Sequence, residues 1–149
     1  MPQTDSVVQD LIDKNVITKV EKPTKWVSPA FFVPKPDGLL MRLVTDYYTK
    51  FNKFVHRPFH PFPSTRDILQ SIPLGQKFFA KLDAVHGYFQ LALDKESSYP
   101  ITFFLPQGRF LYLRAPIGLN PSSDEWCRHS DVAVEDLDWC MKIVDDIII

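Results

Sequence analysis

Two adjacent aspartates stand inside an aliphatic run near the end of the chain, Met141-Lys142-Ile143-Val144-Asp145-Asp146-Ile147-Ile148-Ile149. Residues of this type favour a half-buried strand, whereas neighbouring carboxylates repel one another and resist leaving water. The chain must either turn at the pair or bring positive charge to it. A turn on Asp-Asp is inferior to one on Asn-Gly or Asp-Gly. A divalent cation is the other solution, because hard oxygen ligands suit Mg²⁺ and the ion offsets the repulsion. On this stretch alone, turn and metal site rank equally.

A third carboxylate favours the metal. In Lys81-Leu82-Asp83-Ala84-Val85-His86-Gly87-Tyr88-Phe89-Gln90, the preceding apolar residues predict a buried strand from Phe78 to Leu82 that ends at Asp83, where sheets present ligands. If that strand lies beside the Asp145-Asp146 hairpin, three carboxylates converge. Two-metal phosphoryl transfer needs that constellation.

The rest of the chain can build the required scaffold. Its 149 residues are 45% hydrophobic and 23% charged, with a net charge of −1, the composition of one soluble globular domain. The small net charge hides a split, since residues 1–81 carry 12 Lys/Arg against 7 Asp/Glu and residues 82–149 carry 5 against 11. A basic half suits a polyanion and an acidic half suits cations. Cys127 and Cys140 are the only cysteines, and neither has zinc-site spacing. The N-terminus lacks a signal peptide and no apolar run spans a bilayer, so the expected location is intracellular, cytoplasmic or nuclear.

Periodicity predicts an amphipathic helix over residues 5–16 and a strand over 26–34. Pro36-Asp37-Gly38 then signals a turn into a returning strand from Leu39 to Val44. A short helix is expected over 46–55, an extended connector over 60–64, and a helix capped by Ser64 or Thr65 running through Ile72. Ile101–Leu105 and Phe110–Leu113 read as a hairpin. Pro121-Ser122-Ser123-Asp124-Glu125 opens a helix with a Ser122/Glu125 capping box, whose apolar face is Trp126, Ala133, Val134 and Leu137. His56, His60 and His129 have no partner spacing and read as structural or exposed.

Five pieces in order carry a family resemblance: Phe32-Val33-Pro34-Lys35-Pro36-Asp37-Gly38; Arg42-Leu43-Val44-Thr45-Asp46-Tyr47; Lys81-Leu82-Asp83 with Gly87-Tyr88-Phe89-Gln90; Leu113-Arg114-Ala115-Pro116-Ile117-Gly118-Leu119; and Ile143-Val144-Asp145-Asp146. Together they resemble the reverse transcriptase of gypsy-type LTR retrotransposons, from about Leu11 to Ile149. The resemblance implies an α+β fold of fingers and palm, with an antiparallel palm sheet, helices packed on one face, and truncation before the thumb. Fingers would comprise about 1–60 and 91–119, palm about 61–90 and 120–149.

It further implies Asp83, Asp145 and Asp146 as catalytic ligands of two Mg²⁺ ions, which Mn²⁺ can replace. Lys35 and Arg42 would hold the triphosphate of the incoming nucleotide. Ala84, Val85, His86, Gly87 and Tyr88 would line its site, with Tyr88 as the steric gate against a ribose 2′-hydroxyl and Gly87 permitting close backbone approach. Ile117 and Gly118 would contact base and template. The implied partners are an RNA or DNA template, a nucleic-acid primer, dNTP, and downstream thumb and RNase H segments of a polyprotein. The implied activity is RNA-directed DNA polymerase, weak or absent without those segments. The alternatives are a non-catalytic retroelement remnant that binds nucleic acid or a partner, and a carboxylate-metal phosphohydrolase.

Overall fold

The computed structural model describes every residue except Met1, Asp37, Leu39 and Phe62, and only the backbone of Pro2. Helix α1 (Pro2–Asp13) starts three residues before the expected helix and stops three residues short of its end. Asn15 takes a left-handed conformation, φ 53°, and Val16 and Asn15 donate their amides to Leu11 O and Ile12 O, each at 2.9 Å. This is a Schellman-type stop, and Val16 thereby leaves the helix to begin the core.

Five strands form the larger sheet, in the order β1-β6-β5-β2-β3. They are β1 (Ile17–Lys19), β2 (Ser28–Pro34), β3 (Met41–Thr45), β5 (Phe103–Leu105) and β6 (Gly108–Tyr112). Only the β2–β5 pairing is parallel. The expected turn and returning strand fall partly on Asp37 and Leu39, which lie outside the described residues. Val8, Val16, Ile17, Tyr47, Phe51, Ile101, Phe103, Phe110 and Tyr112 make one buried cluster. Phe103 packs on Tyr112 with ring centroids 4.8 Å apart, and the buried Tyr47 hydroxyl donates to Ile101 O at 2.8 Å.

The smaller sheet is antiparallel, in the order β4-β8-β7, with β4 at Lys81–Asp83, β7 at Met141–Ile143 and β8 at Asp146–Ile148. Its β4 corrects the expectation of a buried strand over Phe78–Leu82. Backbone pairing begins only at Ala80, which exchanges hydrogen bonds with Ile149, all three residues of β4 are exposed, and Phe78 and Phe79 are 90% and 56% exposed. The apolar run lacks a covering layer among the described residues.

Local chemistry sets the remaining helices. Ser64 caps α2 (Thr65–Ser71) in a capping box with Asp67; Phe62, within the expected connector, lies outside the described residues. The expected helix over 46–55 reduces to one 3-10 turn at Phe51–Lys53. A short α3 (Lys95–Ser98) precedes β5. Helix α4 (Asn120–Val134) begins at Asn120, before Ser122, so the anticipated Ser122/Glu125 box does not form and the Ser122 hydroxyl is buried without a partner. The cap comes from elsewhere: Asn52 accepts from the Asn120 amide at 3.1 Å and donates to Gly118 O at 2.8 Å. Trp126 is buried on α4 as expected, but Ala133 is exposed. No described helix is long and apolar enough to cross a membrane.

Ion pairs lash α4 to its neighbours. The buried Asp124 carboxylate accepts from Arg57 Nε at 2.6 Å and from the His60 amide at 3.2 Å. Asp131 pairs with His60 Nε2 at 2.6 Å and with Lys142 Nζ of β7 at 2.9 Å. His60 is thus a network member, a role that its sequence spacing did not suggest. Burial alone would raise both carboxyls, but Arg57 and the His60 amide outweigh it at Asp124, as His60 and Lys142 do at Asp131, and both sit below the ordinary range.

A depressed folded pKa contributes stability that is complete above the unfolded value of about 3.9 and disappears as pH falls through the folded value. The melting temperature is therefore expected to hold near neutrality and fall below about pH 4. Asp124→Asn is expected to cost about 1–2 kcal/mol at pH 7 and to flatten that acid limb. Melting curves against pH for both proteins check this, and parallel limbs would remove Asp124 as a source.

Candidate active site

The backbones of the three aspartates lie together at one end of the smaller sheet. Ile143 pairs with Asp146, leaving Val144 and Asp145 as a two-residue turn, so turn and charge compensation both operate. Asp146 also pairs with Asp83 across β8 and β4, and the Ala84 amide donates to Asp145 O at 2.9 Å. Strand pairing therefore fixes the backbones of all three acids.

The turn is strained. Val144 has φ 53°, a left-handed conformation costly for a β-branched side chain. The Trp126 indole Nε1–H donates to Val144 O at 3.1 Å from α4, which helps hold the turn against that cost. Gly87 completes the packing, because a Cβ there would lie 2.8 Å from the Trp126 ring and 3.0 Å from Asp145 Oδ1. Its importance is thus steric closeness to the acid turn.

Charge is unevenly compensated. Burial, followed by the Asp83 charge, pushes the Asp145 carboxyl above the usual range, and its Oδ1 is buried with no hydrogen-bond partner. Asp146 instead pairs with Lys81 Nζ at 2.9 Å. Among the described residues no group of three or more His, Cys, Asp or Glu side chains is close enough to share an ion. Even so, the orphaned Asp145 oxygen, the nearby Asp83 charge and an all-carboxylate donor set fit a hard divalent cation.

The neighbouring segment surrounds this corner. His86 has φ 52° and stacks on Phe89 at 5.8 Å, Val85 is exposed, and Tyr88 is half-buried with its hydroxyl pKa raised by burial and by Asp145. Gly118 has φ 91° and Ile117 is exposed. Lys35 and Arg42 belong to the β2–β3 hairpin of the larger sheet, Arg42 opposite Val33. Lys81 and Trp126 also contact this corner, through Asp146 Oδ2 and Val144 O. A period-two reading places Lys81 on the same strand face as Asp83, but nothing local announces the Trp126 contact.

A groove of about 620 Å³ lies at the opposite end of the smaller sheet, lined by Ile72, Phe78, Phe79, Trp139, Met141 and Ile149. It is apolar and contains none of the three aspartates.

No family model matches the chain. The chain is 30% identical over 95% of its length to the enzymatic polyprotein of figwort mosaic virus (strain DxS), of which it covers 21%. It is 29% identical over 99% of its length to the retrovirus-related Pol polyprotein from transposon 297 of Drosophila melanogaster, covering 14% of that protein. Among solved structures it matches prototype foamy virus protease-reverse transcriptase with a TM-score of 0.84 and 26% identity, over 99% of this chain and 19% of the other. A foamy viral protease-reverse transcriptase in complex with double-stranded DNA gives a TM-score of 0.88 and 25% identity over 99% and 25%. The chain spans about a fifth of the length of the first of these relatives, the figwort mosaic virus polyprotein. Along almost all of its length, then, it is similar to one segment of retroelement Pol-type polyproteins, and it shares the mixed α/β fold of a matching segment of foamy-virus protease-reverse transcriptase.

Proposed function

We propose that the chain is the fingers and palm part of a gypsy-type, RNA-directed DNA polymerase. The observation that carries this reading is the strand register that sets the backbones of Asp83, Asp145 and Asp146 side by side at one end of the smaller sheet, near Tyr88. The larger sheet and its loops are the fingers, about 1–60 and 91–119; the smaller sheet and its helices are the palm, about 61–90 and 120–149. The substrates are a dNTP and the 3′-hydroxyl of a primer on an RNA or DNA template. The hydroxyl attacks the α-phosphate and pyrophosphate leaves.

Each group has a physical task. Asp83 and Asp145, joined by Asp146, hold Mg²⁺ or Mn²⁺; bound ions supply activation of the attacking oxygen and charge stabilisation of the leaving one. Lys35 and Arg42 grip the triphosphate, the arginine by a fork and the lysine as a mobile charge. Residues Ala84 to Tyr88 cradle the nucleotide, and the Tyr88 ring excludes a 2′-hydroxyl. Ile117 and Gly118 support base and template.

Primer extension on a homopolymer template with labelled deoxynucleotide tests the reading. Incorporation is expected from a longer protein that carries the downstream segments, little or none from this chain alone, and loss in both with Asp145→Asn. Equal incorporation by the native and Asn forms of the longer protein would falsify it. The second reading, a non-catalytic nucleic-acid-binding module, draws on the Lys81–Asp146 pair, which leaves the carboxylates unassembled. Template binding without metal-dependent incorporation in the longer protein would select it.

A further inference from the structure

We propose that Lys81 is a built-in counter-ion for Asp146 that competes with the second divalent cation, so that the three carboxylates assemble only when the lysine is displaced. The inference rests on the reading of Asp83, Asp145 and Asp146 as cation ligands. Strand register supplies the geometry. Lys81 pairs with Ile148 and Asp83 with Asp146, so Lys81 and Asp83, two residues apart, present their side chains on one face. From there Lys81 reaches diagonally to Asp146, Nζ to Oδ2 at 2.9 Å.

Two observations follow from that contact. Asp146 is drawn to the ammonium, and no three-carboxylate group exists among the described residues. Asp145 has no direct ion pair, its Oδ1 is buried without a hydrogen-bond partner, and the Asp83 charge acts on it more strongly than Lys142 does. Lys81 pairs directly with Asp146 and acts on Asp83 only at longer range, while Asp145 is eased only partly by Trp126 and Lys142. Asp83 and Asp145 therefore form the first cation position, and completing the second requires Asp146 to leave Lys81.

The exchange is easy because Lys81 and Asp146 are 65% and 38% exposed, and ion pairs in such settings are weak. Competition of this strength shifts metal affinity by roughly two- to fivefold. A methionine at position 81 keeps much of the aliphatic stem without the charge, whereas arginine keeps the charge.

Mn²⁺ titration followed by the electron paramagnetic resonance of the free ion tests this without any activity measurement. Lys81→Met is expected to tighten Mn²⁺ binding by about two- to fivefold and to lower the melting temperature in EDTA, as the carboxylates lose their counter-ion. Lys81→Arg should stay near native, and adding Lys81→Met to Asp146→Asn should change nothing further. Native binding that depends on Asp83 and Asp145 but is unchanged or weakened by Lys81→Met overturns the counter-ion role alone. Absence of Mn²⁺ binding in the native chain, with no response to Asp83→Asn or Asp145→Asn, overturns it together with the cation-ligand reading.

Discussion

Asp145→Asn is expected to lower primer extension by the longer protein on the order of a thousandfold or more, while making the metal-free chain slightly more stable. The first effect follows if Asp145 is the cation ligand proposed above, since bound ions supply several kcal/mol of charge stabilisation during phosphoryl transfer. The second follows from the folded environment. Burial and Asp83 raise the Asp145 carboxyl, so folding disfavours its charged form. That penalty is absent below the unfolded carboxylate pKa of about 3.9, grows as pH rises towards the folded value, and is complete above it.

An uncharged asparagine removes the penalty. Because the site is partly solvated, the gain at neutral pH is small, on the order of a degree or two in Tm, and it closes as pH approaches 4. Added Mn²⁺ reverses the order: an ion that binds only the folded state raises the native Tm by mass action and leaves the variant almost unmoved. Thermal melts in EDTA and in Mn²⁺ read both halves. An equal Mn²⁺ shift in the two proteins would remove Asp145 from the ligand set.

The acids were legible because their chemistry conflicts with their surroundings. Asp145 and Asp146 interrupt an aliphatic run, and the structure resolves that conflict by placing one in a turn and the other against Lys81. Local rules also found α2, whose Ser64 and Asp67 cap each other within four residues. The same rule failed at α4, where Asn52, distant in sequence, supplies the cap. Partners set by register or tertiary packing, such as Lys81 with Asp146 and His60 with Asp131, leave no trace in local spacing. Apolar composition predicted burial for Phe78 and Phe79, but composition cannot say whether a covering layer is present.

Gly87→Ala is expected to destabilise the chain by about 3 kcal/mol, at the upper end of the usual range for overpacking, and so to lower Tm by roughly 6–12 °C. The added methyl would lie 2.8 and 2.9 Å from Trp126 ring carbons and 3.0 Å from Asp145 Oδ1. The Trp126 ring is not a free side-chain end, and Asp145 Oδ1, though unpartnered, is buried. Trp126 is buried on α4 and its indole N–H is committed to Val144 O, so a shift of the ring loosens the strained turn that carries Asp145. Moving Asp145 instead disturbs the proposed ligand directly. Either relaxation joins a stability loss to weaker Mn²⁺ binding, which a remote core substitution of equal cost would not do. Calorimetry and Mn²⁺ titration on Gly87→Ala, with Phe103→Leu in the larger-sheet core as the control, separate the two. A Gly87→Ala protein with native metal affinity would show that Trp126 and Asp145 can retreat without moving the site.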